Sequence, residues 1–382
     1  MTPLPIPSHH RALIYDNPGT PTVQLISVQT PQPGPGDVLV RLTHSGICHS
    51  DWAVMMRGEN ELGPPAQRNQ IGGHEGVGYI VAFGPPLTDE LENNTSTGLG
   101  LNMTLTLGDR VGIKWMARVC GRCPPCRADR DGCCVDGAIS GYGVPGTFQE
   151  YVVAPANYVT RIPDGVASEL AAPLLCGGIT VYAALRKCEA HARDAVVVIG
   201  GTGGLGHLAL QIGAWGMGLR MIALDFGAKA DFAAECGATS YIDMSAYKAE
   251  DSAQLAADVK QHTPNGLGAA AVLVCTGANE AYAQALSLLR FGGTLVCVGV
   301  PEGRPVAIAS AFPASLIAKE LRIVGSVVGN QTDAMEMMEM AARGLVRTRV
   351  EVRPMGVVAL MEVFEEMNAR RLRGRVVLDL TA

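Results

Sequence analysis

The chain has 382 residues and a formal net charge of −6, with 48% hydrophobic and 17% charged residues. That length predicts two domains, or three small ones, around a substantial core, and the composition excludes a disordered chain, a collagen and a coiled coil. The acidic balance leaves no global basic field for nucleic acid or an anionic membrane surface.

In chain order, Met1 to Asp16 carries three prolines and two histidines and lacks the apolar core of a secretory signal, so a cytoplasmic chain is expected. From Val38 to Val81, short alternating runs such as DVLVRLTHSG and GVGYIVAFG predict antiparallel β structure. Thr88 to Leu107 is rich in Asn, Thr and Gly and reads as an exposed loop, with glycosylation-type acceptors at Asn93, Asn94 and Asn102 that an intracellular chain leaves unmodified. After Cys176 the runs AVVVIG, RMIALD, AAVLVC and TLVCVGV alternate with Ala-rich helical segments, which predicts a parallel sheet covered on both faces. Ala195 to Leu219 is 25 residues without a charge, long enough to span a bilayer, but eight of them are glycine, a loop signal rather than a span. From Leu321 the strand RIVGSVVG, a helix over Thr332 to Gly344 and the strand RVVLDL are expected to complete the first domain. The predicted boundaries are 1–176, 177–323 and 324–382.

Eleven cysteines in a chain expected inside the cell point to metal ligands or buried thiols rather than disulfides. Cys120, Cys123, Cys126 and Cys134 fall in CGRCPPCRADRDGCC, whose spacing lets one small loop wrap four thiolates round a tetrahedral ion. Cys133 competes for the fourth place, and spacing alone favours Cys134. Such a closed site stabilises a lobe and does no chemistry. Cys188, Cys236, Cys275 and Cys297 sit in apolar or helical contexts and are expected in the core.

The run VVVIGGTGGLG places Gly201, Gly203 and Gly206 in G-x-G-x-x-G spacing between a predicted strand and a predicted helix. Glycines admit a pyrophosphate close to the backbone, and the helix N-terminus offers free N–H groups to it. The next strand ends at Asp225, 19 residues beyond Gly206, where a carboxylate can accept from both hydroxyls of an adenosine ribose and repel a 2′-phosphate. NAD is therefore expected over NADP, with Lys229 as a further ribose contact.

Three distant motifs supply borderline or soft ligands: SGICHSD with Cys48, IGGHEG with His74, and APLLCGG with Cys176. Each alone is weak. Together they make two thiolates and an imidazole, which leaves the fourth tetrahedral position for water or substrate. Glu75 and Asp51 are carboxylates able to orient that shell.

This order of motifs resembles the zinc-dependent medium-chain alcohol dehydrogenases over nearly the whole chain. HSGICHSD, GIKW at Gly112 to Trp115, GITVYAAL at Gly178 to Leu185 and GSVVGN at Gly325 to Asn330 are similar to the yeast-type tetrameric branch. The resemblance implies an α/β fold, a Rossmann doubly wound parallel sheet plus a mainly antiparallel GroES-like catalytic domain. It implies one catalytic Zn²⁺ on Cys48, His74 and Cys176, with Glu75 able to exchange as a ligand. A structural Zn²⁺ would sit on Cys120, Cys123, Cys126 and Cys134. It places Ser50 against the alcohol oxygen, Asp51 as a brace for the His ligand and His49 near the cofactor pyrophosphate. NAD would also meet Gly200, Gly201, Thr202, Gly203, Gly204, Leu205, Gly206, Asp225, Lys229, Val298, Val300 and Arg375. A homotetramer is carried by the resemblance alone.

The expected activity is hydride transfer between NAD(H) and a primary or secondary alcohol or its carbonyl partner. Departures from the family pattern bear on the substrate. Ala53 stands where the yeast-type branch ends its proton relay with His, Glu59 where an aromatic pocket wall is expected, and Val300 where Met is frequent. The Cys48 to His74 spacing is about three residues longer than usual for that branch and the Thr88 to Leu107 loop about fifteen, figures that belong to the resemblance. A roomier or more polar pocket, a substrate larger than ethanol and a role in specialised metabolism are expected. The other readings are a polyol or aromatic-alcohol dehydrogenase of the same superfamily and a non-catalytic NAD-binding homologue.

Overall fold

A computed structural model describes residues 5–56, 66–86, 104–248, 251–301 and 305–382. Glu59 and the rest of the 57–65 segment, and most of the Thr88 to Leu107 insertion with Asn93, Asn94 and Asn102, lie outside the described residues. The chain divides into two units: Met1–Cys176 with Gly329–Ala342 and Thr348–Ala382, and Gly177–Val328 with Arg343–Arg347.

The first unit is built on β1 (Asp37–Ile47), the run whose alternation marks it as a strand. Along one edge it pairs antiparallel with β2 (Glu75–Phe83), which in turn pairs with β3 (Arg110–Ile113). The first half of its other edge pairs with β4 (Tyr151–Pro155), and β3 also carries the short β5 (Thr160–Arg161). Strand β1 ends at Ile47, and Cys48 caps the helix α1 (His49–Met55), where Asp51 accepts from the Cys48 N–H at 2.8 Å. That bond satisfies one of the orphan donors at the start of the helix. A second, three-stranded sheet comprises His9–Tyr15, Val23–Gln29 and Gln70–Ile71.

The second unit carries a six-stranded sheet of β6 (Ala195–Ile199), β7 (Arg220–Asp225), β8 (Ala238–Asp243), β9 (Ala269–Val274), β10 (Leu289–Cys297) and β11 (Arg322–Gly325). Its pairings are all parallel and its spatial order is β8-β7-β6-β9-β10-β11. Numbered within this unit the order reads 3-2-1-4-5-6, that of two mononucleotide-binding halves. AVVVI and AAAVLV are buried at every position, as continuous apolar strands of a sheet covered on both faces must be. The uncharged stretch from Ala195 is thus β6, a glycine loop, the helix α2 (Gly206–Gln211) and a π turn at Ile212–Gly216. Among the described residues no single helix is long and apolar enough to cross a membrane. The helix α3 (Pro313–Lys319) buries none of its residues.

One expectation is corrected by β11. Thr294 to Cys297 pair with Arg322 to Gly325, so the parallel sheet keeps that strand and a boundary at 323/324 would cut it. The chain returns to the first unit from Gly329. There the helix α4 (Gln331–Ala342), β12 (Val350–Pro354), the helix α5 (Val357–Asn368) and β13 (Arg375–Asp379) complete it. β13 pairs antiparallel with the second half of β1, Val376 opposite Ile47, and α5 adds Leu360, Val363 and Phe364 to a core that includes Leu13, Val40 and Phe148.

Candidate active site and metal centres

Three chain segments of the first unit converge at the end of β1. Cys48 follows that strand, His74 precedes β2, and Cys176 closes the unit's first segment after a 3₁₀ turn at Ala172–Leu175. Ligand atoms of Cys48, His74, Glu75 and Cys176 all lie within 4.8 Å of one another, and all four residues are buried. His74 Nε2 stands 3.3 Å from Cys176 Sγ and 4.0 Å from Glu75 Oε1. Its other ring nitrogen, Nδ1, meets Asp51 Oδ1 at 2.8 Å, so Asp51 links the backbone of Cys48 to the ring of His74. A carboxylate on Nδ1 fixes the tautomer and leaves Nε2 as the donor atom for an ion. Trp115 holds the same imidazole from the side, edge to face at 4.7 Å.

Electrostatics follow from burial of this set. The hydrogen bond from Cys176 holds the Cys48 thiol well below its usual range, and the same bond together with burial pushes Cys176 well above it. Burial opposes a charge on His74, but the Asp51 carboxylate outweighs it and raises the imidazole pKa. Burial pushes Glu75 up to about 7 against the pull of Arg375. Arg375 is buried and ion-paired with Glu75 Oε1, while Glu75 Oε2 has no hydrogen-bond partner among the described residues. A dry set of two sulfurs, one imidazole nitrogen and a carboxylate oxygen with a spare lone pair suits a borderline-soft ion such as Zn²⁺.

The four-cysteine run folds into a lobe between Met116–Arg118 and Ala138–Ile139, with a helical turn at Pro124–Arg127 and a 3₁₀ turn at Asp131–Cys133. The sulfurs of Cys120, Cys123, Cys126 and Cys134 lie within 4.8 Å of one another. Cys123 Sγ is 3.5 Å from Cys126 Sγ and 3.9 Å from Cys134 Sγ. Cys133 is exposed and outside the cluster, so geometry takes Cys134, the neighbour that spacing favours.

In the second unit the loop after β6 shows why glycine is needed. Gly200 has φ +79°, and a β-carbon on Gly206 would lie 2.1 Å from Gly200 O, so α2 can pack on the loop only without a side chain there. A β-carbon on Gly201 would come 2.8 Å from that of Ala223 on the neighbouring strand. These cradles fit a dinucleotide loop. Asp225 ends β7 with Lys229 at 3.3 Å from Oδ1 and Thr202 on Oδ2.

Other expected positions fall as follows. Ser50 Oγ is 3.7 Å from Cys48 Sγ, His49 is exposed, and Ala53 is exposed on α1. Trp52 packs against Phe364, ring centroids 5.5 Å apart, at the core around α5. Gly203, Gly204 and Leu205 are partly exposed, Val298 is half-buried and Val300 exposed. Cys188 and Cys236 are buried as expected, whereas Cys275 and Cys297 are only partly so. Three features escaped the sequence. Arg375 was expected at the cofactor, and its ion pair with Glu75 spans 300 positions of sequence. Lys114 is 3% exposed, donates to Thr160 Oγ1, the Tyr158 carbonyl and Gln331 Oε1, and lies over the Tyr158 ring. Thr202 bonds the Asp225 carboxylate. A lysine flanked by Ile113 and Trp115 was the one visible hint of the second.

Comparison with known proteins decides the family. Residues 34–164 match the alcohol dehydrogenase GroES-like domain, and residues 204–343 match the zinc-binding dehydrogenase domain. Alcohol dehydrogenase 2 of Emericella nidulans is 48% identical over 377 residues, 98% of this chain and 99% of that one. The chain belongs to the zinc-type medium-chain alcohol dehydrogenase family. An alcohol dehydrogenase of Schizosaccharomyces pombe is 37% identical over 378 residues, covering 98% of this chain and 99% of its own. Among solved structures, an NAD-dependent alcohol dehydrogenase aligns with TM-score 0.81 at 25% identity over 97% of this chain and 99% of that one. The acetophenone reductase of Geotrichum candidum, in complex with NAD, aligns with TM-score 0.78 at 25% identity over 98% of each chain. This dehydrogenase is therefore an oxidoreductase acting on alcohols, and its family's cofactors are Zn²⁺ and NAD(H).

Proposed function

We propose that this alcohol dehydrogenase is NAD-dependent, binds one catalytic and one structural Zn²⁺, and interconverts an alcohol larger than ethanol with its aldehyde or ketone. The observation that carries the reading is the buried Cys48–His74–Glu75–Cys176 set, braced through Asp51 and adjoined by the Ser50 hydroxyl. When bound, Zn²⁺ supplies Lewis-acid polarisation of the substrate oxygen and NAD(H) the exchange of hydride.

The chain's own residues do the rest. Cys48, His74 and Cys176 would hold the catalytic ion in a dry site, and Asp51 keeps His74 in the tautomer that presents Nε2. Glu75 balances the buried Arg375 guanidinium and keeps Oε2 free to act as a further ligand. The Ser50 hydroxyl, partly exposed, accepts and donates at once, so it can take a proton at Oγ and pass it outward. With Ala53 exposed on α1, water completes that path.

Asp225, at the end of β7, supports NAD over NADP, and the NAD complex of the similar acetophenone reductase points the same way. That relative's aromatic ketone substrate, by its name, also supports an aromatic alcohol as the second reading. Placing the reaction in specialised metabolism rests on the altered residues Ala53, Glu59 and Val300 alone. Eleven free cysteines, seven of them in the two clusters' sequence runs or serving as their ligands, fit a reducing cytoplasm. A homotetramer of the yeast type is supported by the bare α3 and by β11, the last strand of its sheet, with Ile317 76% and Ile323 38% exposed. Light scattering of the purified chain tests it.

The functional test is NAD⁺ reduction and NADH oxidation against a series from ethanol and acetaldehyde to aromatic alcohols and ketones, with zinc measured on the same sample. The reading expects two zinc ions per chain and kcat/KM higher for bulky substrates. Fast ethanol turnover overturns the large-substrate part, and turnover with NADP alone overturns the cofactor part.

A further inference from the structure

Asp225 is fully engaged in the free chain. Its Oδ2 accepts from the Thr202 backbone N–H at 2.9 Å and from the Thr202 hydroxyl at 2.5 Å. Its Oδ1 accepts from the Phe226 N–H at 2.8 Å and from the Lys229 ammonium at 3.3 Å. A carboxylate has about four lone-pair sites, so a ribose hydroxyl gains access only by displacing one of these donors. The four donors are unequal. Two are backbone amides that cannot leave. The Thr202 hydroxyl sits on a residue 1% exposed, at the centre of the glycine loop. Lys229 is a long, flexible side chain, 22% exposed, and it alone can swing away at little cost.

The bonds on Oδ2 therefore fix the carboxylate torsion and direct Oδ1, once Lys229 withdraws, towards the incoming nucleotide. The backbones are already tied, since Gly200 N and Gly201 N both donate to Leu224 O at 2.9 and 3.1 Å. The Thr202 hydroxyl extends that tie from the strand end to the side chain that reads the ribose.

We propose that Thr202 is a positioning residue that orients Asp225 through its hydroxyl and thereby sets the discrimination between NAD and NADP. The proposal rests on the reading of Asp225 as the ribose-binding carboxylate. Held by Thr202, Asp225 presents one oxygen to the ribose hydroxyls and keeps its negative charge where a 2′-phosphate would stand. Without that bond the carboxylate rotates, ribose recognition weakens and the repulsion of a 2′-phosphate fades.

The test is equilibrium binding, read by titration calorimetry of NAD⁺ and NADP⁺ on the purified, zinc-loaded full chain. Thr202→Val keeps the volume and the backbone N–H and removes the hydroxyl alone. It is expected to weaken NAD⁺ binding about tenfold, the worth of one hydrogen bond to a charged group, and to strengthen NADP⁺ binding as the repulsion of its 2′-phosphate fades. Thr202→Ser is expected to match the wild type. If Thr202→Val does not fold, Thr202→Ala against Thr202→Ser makes the same comparison. Asp225→Ala separates the two layers of the argument. If it narrows the NAD/NADP ratio and the loss of the Thr202 hydroxyl does not, the positioning role is overturned and the NAD reading stands. If Asp225→Ala leaves the ratio unchanged, the NAD reading and the proposal fall together.

Discussion

Gly46 on β1 and Glu75 on β2 are cross-strand partners so close that a β-carbon on Gly46 would stand 2.0 Å from Glu75 Oε2. The missing side chain is what gives the buried carboxylate room beside Cys48, His74 and Arg375. Gly46→Ala is expected to displace Glu75 from Arg375 and to cost about 2–4 kcal/mol of unfolding free energy, as overpacking beside a buried ion pair does. Denaturant titration and bound zinc, measured together, check it. Gly165→Ala is the control: no heavy atom within 4 Å would meet its β-carbon, and it should change neither.

Asp51 joins the Cys48 backbone to the His74 ring, so its loss acts on the metal first. Asp51→Ala is expected to weaken retention of the catalytic zinc by about 10–100-fold, measured by competition with a chelator. Asp51→Asn keeps an acceptor for His74 Nδ1 but loses the acceptor for the Cys48 N–H, and should fall between.

Adjacent cysteines of the lobe should differ sharply. Cys134→Ser removes a sulfur from the cluster, and one of the two zinc ions and much of the thermal stability should go with it. Cys133→Ser changes an exposed thiol and should leave metal content and Tm as they were. Equal losses in both variants would contradict the ligand assignment.

Lys114 gives a pH signature. Burial pushes its ammonium down to about 7, against the pull of Asp131. Between that value and the ordinary lysine pKa near 10.5 the unfolded chain holds a proton that the folded chain has released. This contribution to stability is complete above the unfolded pKa and is lost as pH falls through the folded one, at up to about 1.4 kcal/mol per pH unit. Stability curves at pH 7.5 and 9.5 should therefore lie closer together in Lys114→Met than in the wild type.

How much of this was legible beforehand depends on whether a feature is local. Cys120 to Cys134 lie within one loop, where spacing constrains geometry directly. Gly200 to Gly206 and Asp225 belong to one strand-loop-helix-strand unit, so pattern and fold coincide. Cys48, His74 and Cys176 come from distant segments that only the fold brings together, so before it only their resemblance to a known arrangement joined them. Arg375 was visible as a charge, but its pairing with Glu75 requires β13 to lie beside β1, a consequence of sheet order that no local pattern encodes. The strand Arg322–Gly325 was recognisable as a strand, yet its own residues do not say which sheet receives it. Lys114 was hidden because an isolated lysine between apolar residues is usually solvent-facing, and its acceptors come from β5, the segment before it and α4.

The position of β13 also bears on biosynthesis. Its residues leave the ribosome more than 300 positions after the strand they lie against, yet they occupy an inner place in the first unit's sheet. During translation the nascent first unit must wait with half of one edge of β1 unpaired and Glu75 without its guanidinium, while the intervening parallel-sheet unit can fold as soon as it emerges. Maturation of the catalytic centre is thus gated by the synthesis of β13, and a chain stopped before Arg375 would expose an adhesive strand edge beside an unbalanced buried carboxylate, a product suited to degradation rather than to catalysis.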